Sequence, residues 1–183
     1  MKSLVGSLLA GASLAVSVYY AATLMIWLGH YVPHRSKSFV REFHVGGHHA
    51  LYPDSRHMRT ERFHYGRGRH DSLVPMLPWL FVLAAAVWVA LPAAWAAFSC
   101  FEVGAIAAAH SHIHAQFHLA APYFDRHAWF RRARARHAVH HDRDVNFMVA
   151  DHFWDRVLRT FEPAKRPDRI RSAAAQRHPR FVA

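Results

Sequence analysis

The chain has 183 residues, 52% of them apolar, yet it carries 23 Lys and Arg against 12 Asp and Glu, a formal net charge of +11. That length suits one domain. A single cysteine, Cys100, excludes an intramolecular disulfide framework and a Cys-x-x-Cys zinc site, and no basic face with groove-reading elements is present, so no nucleic-acid partner is expected.

The charges are segregated, and the elements follow from that. Val5 to Gly29 carries no charge over about 25 residues, enough to cross a hydrocarbon core of roughly 30 Å. Its Met-Lys-Ser opening imitates a secretory signal. The run is long for one, however. Tyr19, Tyr20 and Trp27 occupy the cleavage zone, and His30 and His34 follow directly, so it reads as a membrane span. A basic segment comes next, with Arg35, Lys37 and Arg41 at its start and Arg67 and Arg69 at its end.

From Leu73 to about Phe117 the chain is apolar again, with Glu102 its one charge. Pro92 divides this stretch, because an interior proline removes a helical hydrogen bond and clashes with the preceding turn. The expectation is a helical hairpin, one rod from Ser72 to Leu91 and another from Ala93 to His118. Trp129 to His141 reads as a basic amphipathic helix, and 163–183 as a basic, poorly ordered tail. The fold class is therefore all-α: an integral membrane helical domain over 1–162, one span plus a helical hairpin, with a histidine-rich helical cap. Arg126, Arg131, Arg132, Arg134 and Arg136 follow the last rod, while the far side has only Lys2. This bias puts the histidine clusters and the C-terminus on the cytoplasmic side.

Eighteen histidines fall mostly in clusters: His30 and His34; His44, His48 and His49; His114 and His118; His137, His140 and His141. Neutral imidazole is the commonest metal ligand. Ten are too many for one ion, so the pattern predicts a two-metal centre beside a membrane. On a helix, positions i and i+4 differ by about 40°, so His114 and His118 share a face. His137, His140 and His141 span an arc of roughly 100° and are expected to converge on one point. His30 and His34 also share a face, with Pro33 expected to distort the turn between them. An unbroken helix would hold His49 about 140° from His44, and Gly46-Gly47 suggest loosening there. So few oxygen ligands disfavour magnesium and calcium; imidazole suits iron, zinc, copper and nickel. His57, His64, His70, His112, His127 and His178 read as ordinary histidines. His110, one turn deeper than His114, is a candidate to support the ligands from behind, and His152 to line the site. Glu102, a lone carboxylate inside a span, is a functional candidate against a plain interhelical hydrogen bond.

With these histidines stand Asn146-Phe147 and the stretch Phe153-Trp154-Asp155-Arg156-Val157-Leu158-Arg159-Thr160-Phe161. Together they resemble the fatty acid hydroxylase/sterol desaturase superfamily of integral membrane di-iron proteins, whose closing signature runs F-W-D-R-L-F-G-T-F. The likeness covers residues 27–162. It implies a lipid hydroxylase or desaturase that uses O2 and two external electrons at two iron ions, with zinc as the substitute metal. The implied ligands are the ten clustered histidines: His30, His34, His44, His48, His49, His114, His118, His137, His140 and His141. Asn146 would support them, and Asp155 with Arg156 would form a salt-bridged structural corner. Three departures stand out. The second cluster is one residue longer than the usual H-x-x-H-H, and Met148 and Arg159 stand where the family has glycine. The chain leaves little room for a redox domain of its own, so electrons would come from a ferredoxin or cytochrome b5-type donor, with the arginines of 131–136 suiting an acidic one. Two alternatives remain. A carotenoid ring hydroxylase would carry H-D-G-L-V-H where this chain has His114-Ala-Gln-Phe-His118. A non-enzymatic metal- or haem-binding membrane protein would leave most of the histidines unexplained.

Overall fold

The computed structural model describes residues 2–61 and 73–164. His64, His70, His178, Arg67, Arg69, Ser72 and nearly all of the expected tail lie outside the described residues. Six α-helices follow in order: α1 (Lys2–Arg35), α2 (Phe39–Phe43), α3 (Leu77–Ala90), α4 (Ala93–His118), α5 (Ala128–Asp142) and α6 (Phe153–Val157). A π-helical segment, His44–His49, continues directly from α2, and a 3₁₀ turn, Val74–Met76, leads into α3. Among the described residues the one β-type contact is an isolated parallel bridge between Thr60 and Leu119.

Among the described residues two helices are long and apolar enough to cross a membrane, Leu4–Arg35 and Ala93–His118. At ~1.5 Å per residue α4 extends ~39 Å, whereas α3 reaches only ~21 Å and falls short of a ~30 Å hydrocarbon core. The hairpin forms as the sequence implies. Leu91 is extended and Pro92 precedes the first turn of α4, where its missing N–H costs nothing. Pro33 behaves differently from expectation: α1 continues through it to Arg35 without a break.

α1, α3 and α4 pack together around Val18, Ala22, Ile26, Trp27, Met76, Leu80, Val103 and Ala107, closed at one end by Phe147 and Met148. A second core, Tyr52, Met58, Ala115, Phe117, Phe130, Ala133 and Val149, joins the end of α4 to α5. Gly29 permits the closest approach in the first core, since a Cβ there would meet the Met76 Cα at 2.7 Å. Away from the cores, Leu8, Leu9, Phe81, Trp88, Val89 and Phe101 are uncovered. Arg134 is an exception among the cap arginines. It is buried and closes the end of α4, donating from Nε to the Phe117 carbonyl (2.9 Å) and from Nη2 to that of Leu119 (2.5 Å).

Candidate metal centre

The histidines gather where the two cores meet. His30 packs edge-on against Phe147 of the first, and His118 stacks on Tyr52 of the second at 4.2 Å. They form two sets. His30, His34, His44, His49 and His140 bring one ligand nitrogen each within 4.8 Å of one another, and so do His48, His114, His118 and His137. His141 joins the second set, its Nε2 lying 3.0 Å from that of His137. All ten expected ligands are thus brought together. His30 stays with His34 and His114 with His118, but the convergence of His137, His140 and His141 on one point is overturned. The cluster on α5 is divided, His140 serving the first set and His137 with His141 the second, because neighbours on a helix diverge by about 100°. The second cluster divides the same way, His44 and His49 from His48.

The π-helical segment explains how His44 and His49 reach the same set. Its i→i+5 hydrogen bonding swings residue 49 back over residue 44, which an α-helix would not do. Buried Gly47 lies within the turn.

Oxygen acceptors fix the imidazoles from behind. Nδ1–H of His30 donates to the Phe147 carbonyl, His118 to Met58 (2.7 Å), His140 to Val145 (2.9 Å), His141 to Tyr52 (2.5 Å), and His34 to the Asp144 carboxylate (2.8 Å). A neutral imidazole carries one proton, so each of these five turns an Nε2 lone pair inward. His118 and His141 both aim theirs at His137 Nε2, at 3.1 and 3.0 Å. One proton on His137 could satisfy only one of them. A cation among the three satisfies all, and two nitrogens bound at right angles to an ion ~2.1 Å away lie ~3.0 Å apart. Other inward atoms are buried without a partner, including Nε2 of His30 and both ring nitrogens of His48 and His114. The residues fit a pair of imidazole-bound ions.

Burial holds the rings outside the two long apolar helices neutral. It pulls His44, His48, His49, His137 and His140 well below the ordinary histidine range, and mutual repulsion within the sets adds to it. His141 falls to about 4, burial outweighing the opposing pull of its hydrogen bond to the Tyr52 carbonyl. Neutral imidazole is the form that binds metal.

The closing segment positions the acceptors. Asn146 adopts φ 53°, a left-handed conformation that asparagine tolerates. Its amide accepts from the N–H of Glu162 and donates to the carbonyls of Glu162 and Arg136. The turn lets the flanking carbonyls, Val145 and Phe147, reach two different imidazoles of the first set. Asn146 therefore positions the carbonyls that hold His140 and His30. Asp155, fully buried, receives five donors: Trp27 Nε1, the N–H groups of Phe147 and Met148, His152 Nδ1 and Thr160 Oγ1. The expected salt bridge to Arg156 is not made, because the donors to the carboxylate are these inward groups. The Arg156 guanidinium lies instead over the Phe161 ring at 3.9 Å. His152 is likewise corrected: held by Asp155, it belongs to the corner and to neither ligand set. Glu102 stays ~18 Å along α4 from His114 and takes no part. The His110 ring lies parallel to that of His114, centroids 6.5 Å apart, and makes no hydrogen bond to it. His57, His112 and His127 fall outside both sets.

Five supporting groups went unread in the sequence: the carbonyls of Tyr52, Met58, Val145 and Phe147, and the Asp144 side chain. A carbonyl has no sequence signal. Asp144 had one, an acid three residues past the His140-His141 pair. Comparison with known proteins finds no matching family model, curated protein or solved structure.

Proposed function

We propose that the chain is a membrane di-iron oxygenase that hydroxylates, or desaturates, a C–H bond of a lipid. The observation that carries this reading is the pair of five-histidine sets, in which oxygen acceptors hold five of the ten rings with the Nε2 lone pair inward. Ten imidazoles and no inward carboxylate suit a borderline transition metal. Five neutral ligands per ion exceed the four of a structural zinc site, and zinc has no redox chemistry to offer. Bound there, iron would supply the reduction of O2 by two external electrons, with one oxygen atom entering the C–H bond and the other leaving as water when the outcome is hydroxylation.

The protein's part is to orient and to exclude water. The carbonyls and Asp144 hold five of the imidazoles, those of His30, His34, His118, His140 and His141, in one tautomer, as the outer partners of metal-bound histidines do. Two helices long and apolar enough to cross a membrane support a site next to lipid, where its substrate would dissolve. The basic loops favour the cytoplasmic side for the cap. Arg131 and Arg132 are exposed and would face an acidic electron donor, whereas buried Arg134 is removed from that surface.

Two measurements test the proposal. Protein purified from iron-replete cells is expected to hold about two iron atoms per chain. Lipid extracts of expressing cells are expected to show a species heavier by one oxygen or lighter by two hydrogens, absent with His141→Ala. A metal content near zero, or the same lipid product with His141→Ala, would overturn it.

A further inference from the structure

A groove of about 210 Å³ lies between α1, α4 and the segment around Met148–Asp151. Its walls are mostly apolar, with Ile26, Ile106, Ile113 and Met148 among them. That volume is below the range of whole-ligand pockets and suits one segment of a single chain. Four polar side chains also line it: Tyr19, Thr23, Asp151 and His110. Three are already engaged. Tyr19 donates to Asp151 Oδ2 (2.8 Å), whose Oδ1 accepts from the Phe153 N–H (2.8 Å). Thr23 Oγ1 donates to the Tyr19 carbonyl (2.9 Å) and accepts from Trp154 Nε1 (3.1 Å). His110 is different. It is 8% exposed and its Nε2 has no partner.

We propose that this groove holds a lipid chain and that His110 recognises an oxygen, hydroxyl or carbonyl, on that chain. A buried imidazole left unpaired costs stability, and an oxygen-bearing occupant relieves it while the apolar walls take the hydrocarbon. The uncovered apolar side chains elsewhere on α1 and α4 make lipid the natural source of such an occupant. One consequence rests on the di-metal reading. The His110 and His114 rings are 6.5 Å apart, so a substrate held by His110 presents to the metals a carbon only a few bonds from that oxygen. The substrate class is then a lipid already oxygenated near the position attacked.

The test uses the full chain in detergent micelles with two photoactivatable probes, a diazirine-bearing long-chain primary alcohol and the same probe without its hydroxyl. Mass spectrometry locates the label, and iron is measured on the same samples. The alcohol is expected to label 106–113 and 148–151 about tenfold more than the hydrocarbon, the effect of one hydrogen bond to a buried site. His110→Leu is expected to erase that preference while the groove still takes the hydrocarbon and iron content is unchanged. His110→Gln, which keeps a donor and an acceptor, is expected to restore it. Equal labelling by both probes in the wild type, or label confined to other segments, would overturn the proposal. So would loss of iron in both variants, which would make His110 part of the metal centre. A wild type that prefers the alcohol but holds no iron would uphold this site and remove the oxygenase reading.

Discussion

Replacing Asp155 by asparagine tests the corner that packs against the two histidine sets. Asp155 Oδ1 accepts from Trp27 Nε1 (3.2 Å), the Phe147 N–H (2.9 Å) and Thr160 Oγ1 (2.8 Å); Oδ2 accepts from the Met148 N–H (3.0 Å) and His152 Nδ1 (2.9 Å). An asparagine must turn its NH₂ toward one of these groups. The less costly choice is the Oδ2 side, where His152 can exchange tautomer and accept from the new amide. Met148 N–H is then left facing another donor. One charge-assisted bond lost, with a buried donor stranded, costs about 3 kcal/mol. At 2–4 °C per kcal/mol for a chain of this size, the thermal midpoint in detergent falls by about 6–12 °C, read by circular dichroism. The neighbouring Phe147 carbonyl, which holds His30, loosens with it, so iron retention falls as well. Asp155→Ala strands the Phe147 and Met148 N–H groups and His152 Nδ1, leaves Trp27 and Thr160 only their longer second bonds, and is expected not to accumulate as folded protein. A midpoint within about 2 °C of wild type for Asp155→Asn would refute the account of the carboxylate as an acceptor of five inward donors.

Three further outcomes are expected. Gly29→Ala forces a Cβ to within 2.7 Å of the Met76 Cα and should cost about 2 kcal/mol by thermal unfolding, while Gly104→Ala, with nothing within 4 Å, should cost nothing. Arg159 sits at φ 59°, so Arg159→Gly should stabilise by about 1 kcal/mol; a lowered midpoint would show that its side chain offsets the strain. Metal-free protein should lose stability in acid. The site histidines outside the two long apolar helices are depressed by burial, so below the unfolded value near 6.5 the unfolded chain binds more protons than the folded one. Each such histidine costs about 1.4 kcal/mol per pH unit, from about 6.5 down to its folded value, about 4 for His141. Denaturant titrations of the apo protein from neutral to mildly acidic pH measure this, and a flat profile would contradict the burial of neutral imidazoles.

Helix periodicity and charge segregation carry the rods in the sequence: Ala93–His118 is where Pro92 and the apolar run place it, and α5 differs from expectation by a residue at each end. The histidine clusters were legible for the same reason, since spacing along a helix reveals the face shared by His30 with His34 and by His114 with His118, while the full set of ten rested on the resemblance. How they divide was not legible. The assignment of His140 to one set and of His137 and His141 to the other depends on which element packs opposite each ring. The return of His49 over His44 depends on a π-helical turn that two glycines hint at without specifying. The acceptors that orient the rings lie up to 117 residues away and are mostly backbone carbonyls. Every residue has a carbonyl, so composition marks none of them, and only the packing of α1, α4 and α5 against the 52–58 and 144–162 segments selects which ones face an imidazole. Residue type and spacing thus determined the supply of imidazoles, and tertiary structure decided their partition and aim, because direction in space is a property of the packed backbone.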